Sequence, residues 1–166
     1  MARIGRIIRR IETAERAEVE MRLLDELERQ VLSWPEVSAH PHRFGGREFR
    51  FRAAEIGHMH TGGIVDIPFP RAIRDALLDE RLAEEHRWVP NSGWTTFRVR
   101  SEDDLKHALW LLKLSYLRYV LKTAADPLAL VERASEQLHL SLRLKTLVAA
   151  LLPNTAKRAS AGPIPA

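Results

Sequence analysis

Hydrophobic residues recur along this chain with two different periods. From Ile4 to Leu32 the spacing is helical. Ile4, Ile7, Ile8 and Ile11 share one face, and Val19, Leu23, Leu24, Leu27 and Val31 carry the stripe on beyond a charged stretch. Charges of both signs interleave there (Glu12, Glu15, Arg16, Glu18, Glu20, Arg22), as on a solvated helix face with i,i+4 pairs. Such a helix lies on a domain core, or else meets a membrane surface or a partner helix; the mixed charge favours the core. Trp34-Pro35 ends it, because a residue before proline avoids the α region.

The period then changes to two. In "REFRFR", Phe49 and Phe51 point one way, and Glu48, Arg50 and Arg52 the other. "EIGHMHT" and "IVDIPF" read as further strands, separated by a Thr61-Gly62-Gly63 turn that needs positive φ. "PRAIRDALLDERL" predicts a short amphipathic helix with Ile73, Leu77 and Leu78 inward. "EEHRWV" and "WTTFRVR" predict a strand pair joined by "PNSG". Ser101 and Asp104 have capping-box spacing at the start of a helix that is apolar almost all round from Ala108 to Leu121. Asp126-Pro127 opens a last helical region that runs to Pro153, and His107 and His139 are expected on helices.

The expected fold is α+β: a small, mostly antiparallel sheet with an inserted helix, packed by a buried central helix and by N- and C-terminal helices. The expected pieces are an N-terminal helix over 1–34, an α+β core over 35–122, a C-terminal helical region over 123–152 and a disordered tail over 153–166.

Composition narrows the chemistry. The 166 residues suit one domain, and no apolar run approaches the ~20 residues that span a bilayer. No apolar signal core follows the basic start "MARIGRIIRR", so a cytoplasmic protein is expected. The absence of cysteine removes disulfides, thiolate catalysis and Cys-based zinc sites. The net charge of +4 permits nucleic acid or an anionic ligand without requiring either.

The densest candidate chemistry is "HMH". On a strand, His58 and His60 project from one face about 6.5–7 Å apart at Cα, which suits two ligands of one metal or an acid/base pair. Glu55, Asp66 and His86 are the candidate third partners; His40-Pro41-His42 repeats the spacing in a loop-like setting. The face depends on the turn after "REFRFR". A two-residue loop at Ala53-Ala54 pairs His58 with Phe49 and the core, whereas a three-residue loop pairs it with Arg50 and the arginines. On that second face Arg50, Arg52, Arg98 and Arg100, with Trp94 and Thr96, offer a surface for single-stranded nucleic acid or a small anion. Long side chains interleaved with Glu48 and Glu55 make an ordinary solvated face the simpler reading. "TGGIVD" precedes a strand and is no phosphate loop.

The segments "PHRFGGREFRF", "IGHMHTGGIVDIPFPRAIRDALL" and "HRWVPNSGWTTFRVRSEDDLKHALWLLKLSY" resemble short bacterial proteins of unknown function with a luciferase-like domain, over roughly residues 40–120. The shared positions are His58, His60, Gly63, Asp66, His86 and Pro90, Ser92, Gly93, Trp94. The family name implies an oxidative, light-emitting reaction in some members, and that activity is not carried to this chain. A looser similarity, through Trp94, Phe97, Leu114, Ser115 and Tyr116, is to small double-wing proteins, some described as DNA-binding.

Together these readings expect a small-molecule-binding domain with His58, His60, Asp66 and His86 catalytic, and with Ser92, Trp94, Arg50 and Arg98 contacting ligand. No metal-ligand set and no cofactor is named. The rival is a nucleic-acid or anion-binding module on the arginine face, and a third option is dimerisation through the N-terminal helix.

Overall fold

The computed structural model describes residues 2–153, with side chains from residue 12 onward; the expected disordered tail and the Ile4–Ile11 stripe lie outside those limits. In chain order the elements are α1 (Ala2–Leu32), β1 (Val37–Pro41), β2 (Arg47–Phe51), β3 (Ala54–His60), β4 (Ile64–Pro68), α2 (Arg71–Asp79), β5 (Glu84–Glu85), β6 (Trp94–Arg98), α3 (Glu102–Val120), α4 (Pro127–Gln137) and α5 (Leu142–Ala149). The strands form one six-stranded sheet in the order β1-β2-β3-β4-β6-β5, antiparallel throughout. This is the α+β fold, with α2 inserted between β4 and β5.

One face of the sheet is apolar. Phe49, Phe51, Ile56, Met59, Val65 and Ile67 are buried on it and pack with Leu105, Leu111, Leu112, Leu114 and Leu117 of α3. Each such side chain contributes about 1.5–3 kcal/mol on burial, so α3 is the main stabilising element over the sheet. Among the described residues, α1 joins this core through Leu23, Leu27 and Val31. Val19, expected on the inward stripe, is exposed instead.

Several expectations need correction. Residues 37–41 form a strand, so His40 lies on β1 and not in a loop. β5 stops at Glu85, because the segment expected to continue it, "HRWV", turns back on itself: His86 Nδ1 accepts hydrogen bonds from the Trp88 and Val89 N–H groups, at 3.1 Å and 3.3 Å. Ser101 does cap α3 through the Asp104 N–H, but Asp104 returns its bond to the Arg100 N–H, one residue earlier than the reciprocal box requires. The C-terminal helical region divides into two helices, α4 and α5. His139 breaks it at φ 48°, so His139 lies in a turn.

The β2–β3 turn matches neither expected loop. Phe51 pairs with Ala54, which leaves Arg52-Ala53 at the tip, and the register then shifts by one between Phe49 and Arg50. Phe49 pairs with Gly57 and Glu48 with His58. Ile56 is the extra residue of a β-bulge and is fully buried. A shift of one residue reverses which face a side chain takes. The bulge therefore sends Ile56 and Gly57 toward the core and His58 and His60 toward the polar face.

Glycine permits this crossing. Gly57 has φ 153°, and a Cβ there would lie 2.6 Å from Leu112 Cδ2 and 3.0 Å from the Asp66 carbonyl oxygen. Only a residue without a side chain lets α3 approach β3 this closely.

Candidate functional site

The register draws a single row across the sheet on its polar face. His40 pairs with Glu48, Glu48 with His58, His58 with Asp66, Asp66 with Thr96 and Thr96 with Glu84. Neighbouring strands are about 4.8 Å apart, so side chains along such a row touch. His60 is two residues beyond His58 on the same face, and Trp94 two residues before Thr96.

Asp66 is the hub of the cluster. Its Oδ1 accepts a short hydrogen bond from the Thr96 hydroxyl. Its Oδ2 lies 3.5 Å from His58 Nε2, 3.6 Å from His60 Nε2 and 3.6 Å from His86 Nε2. Asp66, His58 and His86 are all buried, while His60 keeps an edge in solvent. His86 arrives from the loop after β5. Its Nδ1 is occupied as an acceptor of two backbone N–H groups, which puts its proton on Nε2, facing Asp66.

The environments of the histidines differ. His58 lies between two carboxylates, with Nδ1 2.6 Å from Glu55 Oε1 on one side and Asp66 on the other. Burial alone would lower its pKa. The hydrogen bonds with Asp66 and Glu55, and their charges, outweigh burial and raise it to about 9. His60 moves the other way: burial and the neighbouring His58 charge lower its pKa, against the opposing pull of Asp66. Burial pushes the Asp66 carboxyl up, but bonds from His58 and Thr96, the electrostatic pull of the His86 Nε2–H edge and the charge of His58 hold it below its ordinary value. At neutral pH the arrangement is an imidazolium at His58, a carboxylate at Asp66 and a neutral imidazole at His60.

Two aromatic groups enclose His58. His42 stacks on it with ring centroids 3.9 Å apart and planes 14° apart, and Trp94 flanks it at 5.1 Å. Trp94 also stands 6.2 Å from His86. His42 reaches the cluster because the β1–β2 loop folds against β3. A Cβ at Gly46 would lie 2.0 Å from the Met59 carbonyl oxygen, and Gly46 has φ 88°.

His42, His58 and His60 also bring donor atoms within 4.8 Å of one another. The parallel stacking of His42 on His58 aims their in-plane lone pairs alongside each other rather than at one point, and both His58 nitrogens face carboxylates. The donors are close, but an ion would require one ring to turn and His58 to shed a proton.

The structure thus gathers His58, His60, Asp66, His86 and Trp94. Among the described residues, the other expected contacts make no hydrogen bond or ion pair with the side chains of the cluster. Ser92 Oγ accepts from the Trp94 N–H and braces the turn. Arg50 is ion-paired with Glu48, and Arg98 donates to the Gly62 carbonyl at 2.8 Å. Sequence reasoning missed Thr96 as the partner of Asp66 and placed His42 in an unrelated loop. A signal for His42 exists in "HRF" and "HRW", the same histidine–arginine–aromatic triplet in the two loops that reach the cluster.

A six-stranded antiparallel sheet backed by a buried helix, with a carboxylate–histidine cluster on its other face, defines the class of domain. Residues 53–115 match the family model described as Luciferase domain. The matched segment runs from the β2–β3 turn into α3 and includes His58, His60, Asp66, His86, Trp94 and Thr96. No curated protein and no solved structure matches the chain.

Proposed function

We propose that the domain binds a small molecule over the polar face and performs acid/base chemistry on it. His60 is the base, and it removes a proton from a weakly acidic O–H or C–H group. The His58 imidazolium stabilises the negative charge that develops, Asp66 holds the histidines in register, and Trp94 forms one wall. The observation that carries this reading is the convergence of three imidazole nitrogens on Asp66 Oδ2 within 3.6 Å. Titratable neighbours whose environments drive their pKa values apart are the usual arrangement of an acid and a base working at one pH. The luciferase-like label carries an oxidative reaction; this reading stops at the proton step, for which the residues are present.

The arginine face supports the nucleic-acid alternative less well. Arg50 is neutralised by Glu48 and Arg98 is engaged by Gly62, while Glu55 and Asp66 bring negative charge to the same face. Phosphate recognition needs arginines free to pair.

The test is a panel of weak oxygen and carbon acids, followed by their binding and by solvent-deuterium exchange at their acidic positions. Saturable binding, with exchange that disappears in His60→Gln, is expected. Exchange unchanged in His60→Gln, or no member of the panel bound, overturns the reading.

A further inference from the structure

The triplets His42-Arg43-Phe44 and His86-Arg87-Trp88 divide their work in the same way. Each histidine turns inward: His42 stacks on His58, and His86 faces Asp66. Each aromatic turns outward, with Phe44 73% and Trp88 79% exposed, and Val89 next to Trp88 is 44% exposed. These three account for much of the large apolar surface exposed among the described residues outside the helices. Each outward ring carries the arginine that precedes it. The Arg43 guanidinium lies 4.5 Å from the Phe44 centroid and that of Arg87 5.1 Å from the Trp88 centroid. Neither arginine has a carboxylate partner among the described residues, unlike Arg47, Arg50, Arg52 and Arg74.

An exposed Trp or Phe costs free energy in water. An unpaired arginine held over the ring places a cation beside it. This combination matches the boundary of an anionic bilayer, where aromatic rings settle at headgroup depth and guanidinium groups pair with phosphates. A soluble protein interface would set such rings in one contiguous apolar core, whereas Phe44 and Trp88 stand on two separate loops, each beside its own cation.

We propose that the two loops dock the domain on an anionic lipid surface, with Phe44, Trp88 and Val89 entering the headgroup region and Arg43 and Arg87 pairing with lipid phosphates. The docked face is the one that carries the histidine–carboxylate cluster. Docking is peripheral, since no described helix is long and apolar enough to cross a membrane. It stands independently of the acid/base reading, because it requires no reaction.

The experiment is co-sedimentation of the full chain with vesicles of phosphatidylcholine alone or mixed with phosphatidylglycerol. Binding is expected with the mixed vesicles and is expected to weaken with salt. Arg43→Gln/Arg87→Gln should reduce it by about 30-fold, from about fivefold per basic residue. Phe44→Ala/Trp88→Ala should reduce it at least as much; both pairs are exposed, so an unchanged circular dichroism spectrum and melt will show that the fold persists. Quenching of tryptophan fluorescence by brominated lipid should fall in Trp88→Phe. Absence of sedimentation with mixed vesicles overturns the proposal. So does binding that survives the Phe44/Trp88 change, which would assign it to the basic N-terminal segment. A shift in oligomeric state on the same change also overturns it, since a second copy of the chain would then be what covers the rings.

Discussion

His58 and Asp66 face each other across the β3–β4 ladder, with Nε2 and Oδ2 3.5 Å apart, and this pairing exists only because Ile56 is bulged out of register. Without the extra residue, His58 would point at α3 and Asp66 would be a buried carboxylate with Thr96 as its main partner. The bulge is thus the local feature on which the site depends, and it is held open by Gly57 against Leu112.

Stability should decline with rising pH on the alkaline side of neutrality. His58 is raised from its ordinary value of 6.5 to about 9. A group with a raised folded-state pKa contributes stability that is fully present below its unfolded value and is lost as pH climbs through the folded one. Thermal melts between pH 6.5 and 9 at constant ionic strength should therefore show a falling midpoint, with a smaller fall in Glu55→Gln. Asp66, held below its ordinary value, contributes in the opposite sense: its share is lost as pH drops below 3.8. A midpoint that does not change from pH 6.5 to 9 would count against the His58 assignment.

Asp66→Asn removes the charge at the hub and leaves the His58 imidazolium with Glu55 alone. Breaking one side of a buried ion pair costs about 3–5 kcal/mol, and the lower figure applies because Glu55 remains. Thr96→Val removes one hydrogen bond to the carboxylate, with an expected loss of about 1–2 kcal/mol. Urea denaturation of the two variants measures both losses. Equal effects would mean that Asp66 acts mainly as a hydrogen-bond acceptor.

Gly57→Ala should destabilise the fold by about 1–3 kcal/mol through overpacking against α3. The double variant Gly57→Ala/Leu112→Ala should lose less than the sum of the single losses, because removing the leucine side chain relieves the clash. Additive losses in a double-mutant cycle would place the strain in the backbone at Gly57 rather than in its contact with Leu112.

Arg98→Ala should change stability by no more than about 0.5 kcal/mol, as expected for an exposed side chain bonded to a carbonyl, and Arg50→Ala by about 1 kcal/mol, because its partner Glu48 is largely buried. Neither should alter retention on single-stranded nucleic acid. A drop in affinity with a salt slope reduced by about one per arginine would instead establish the nucleic-acid reading.

The strand alternation of "REFRFR", the helical stripe through Leu23, Leu27 and Val31 and the apolar α3 were legible because each repeats one period over several residues. β1 was not, since "VSAHP" is short, ends in proline and carries a histidine where a hydrophobe would mark the pattern. The bulge at Ile56 leaves no trace in composition, so the face of His58 could only be posed as a question of loop length; the arginine-bearing face was one of the two answers, reached by a different route. Asp66, His86 and Trp94 are legible in the sequence as companions of the histidines. Thr96 was read only as a neighbour of the arginines, because its meeting with Asp66 is a property of register between strands 30 residues apart. The "EEHRWV" strand failed at His86, whose ring competes for the backbone N–H groups that a strand would need.

The protonation states of the four imidazoles distinguish an acid/base pair from an ordinary polar cluster. Long-range proton–nitrogen NMR spectra of the full chain at pH 7.5, assigned with His42→Gln, His58→Gln, His60→Gln and His86→Gln, report the state of each ring nitrogen. Both His58 nitrogens should be protonated and titrate near pH 9, His60 should be neutral, and His86 should carry its proton on Nε2. A neutral His58 that titrates near its ordinary value of 6.5, or a His60 that is protonated at neutral pH, would contradict it.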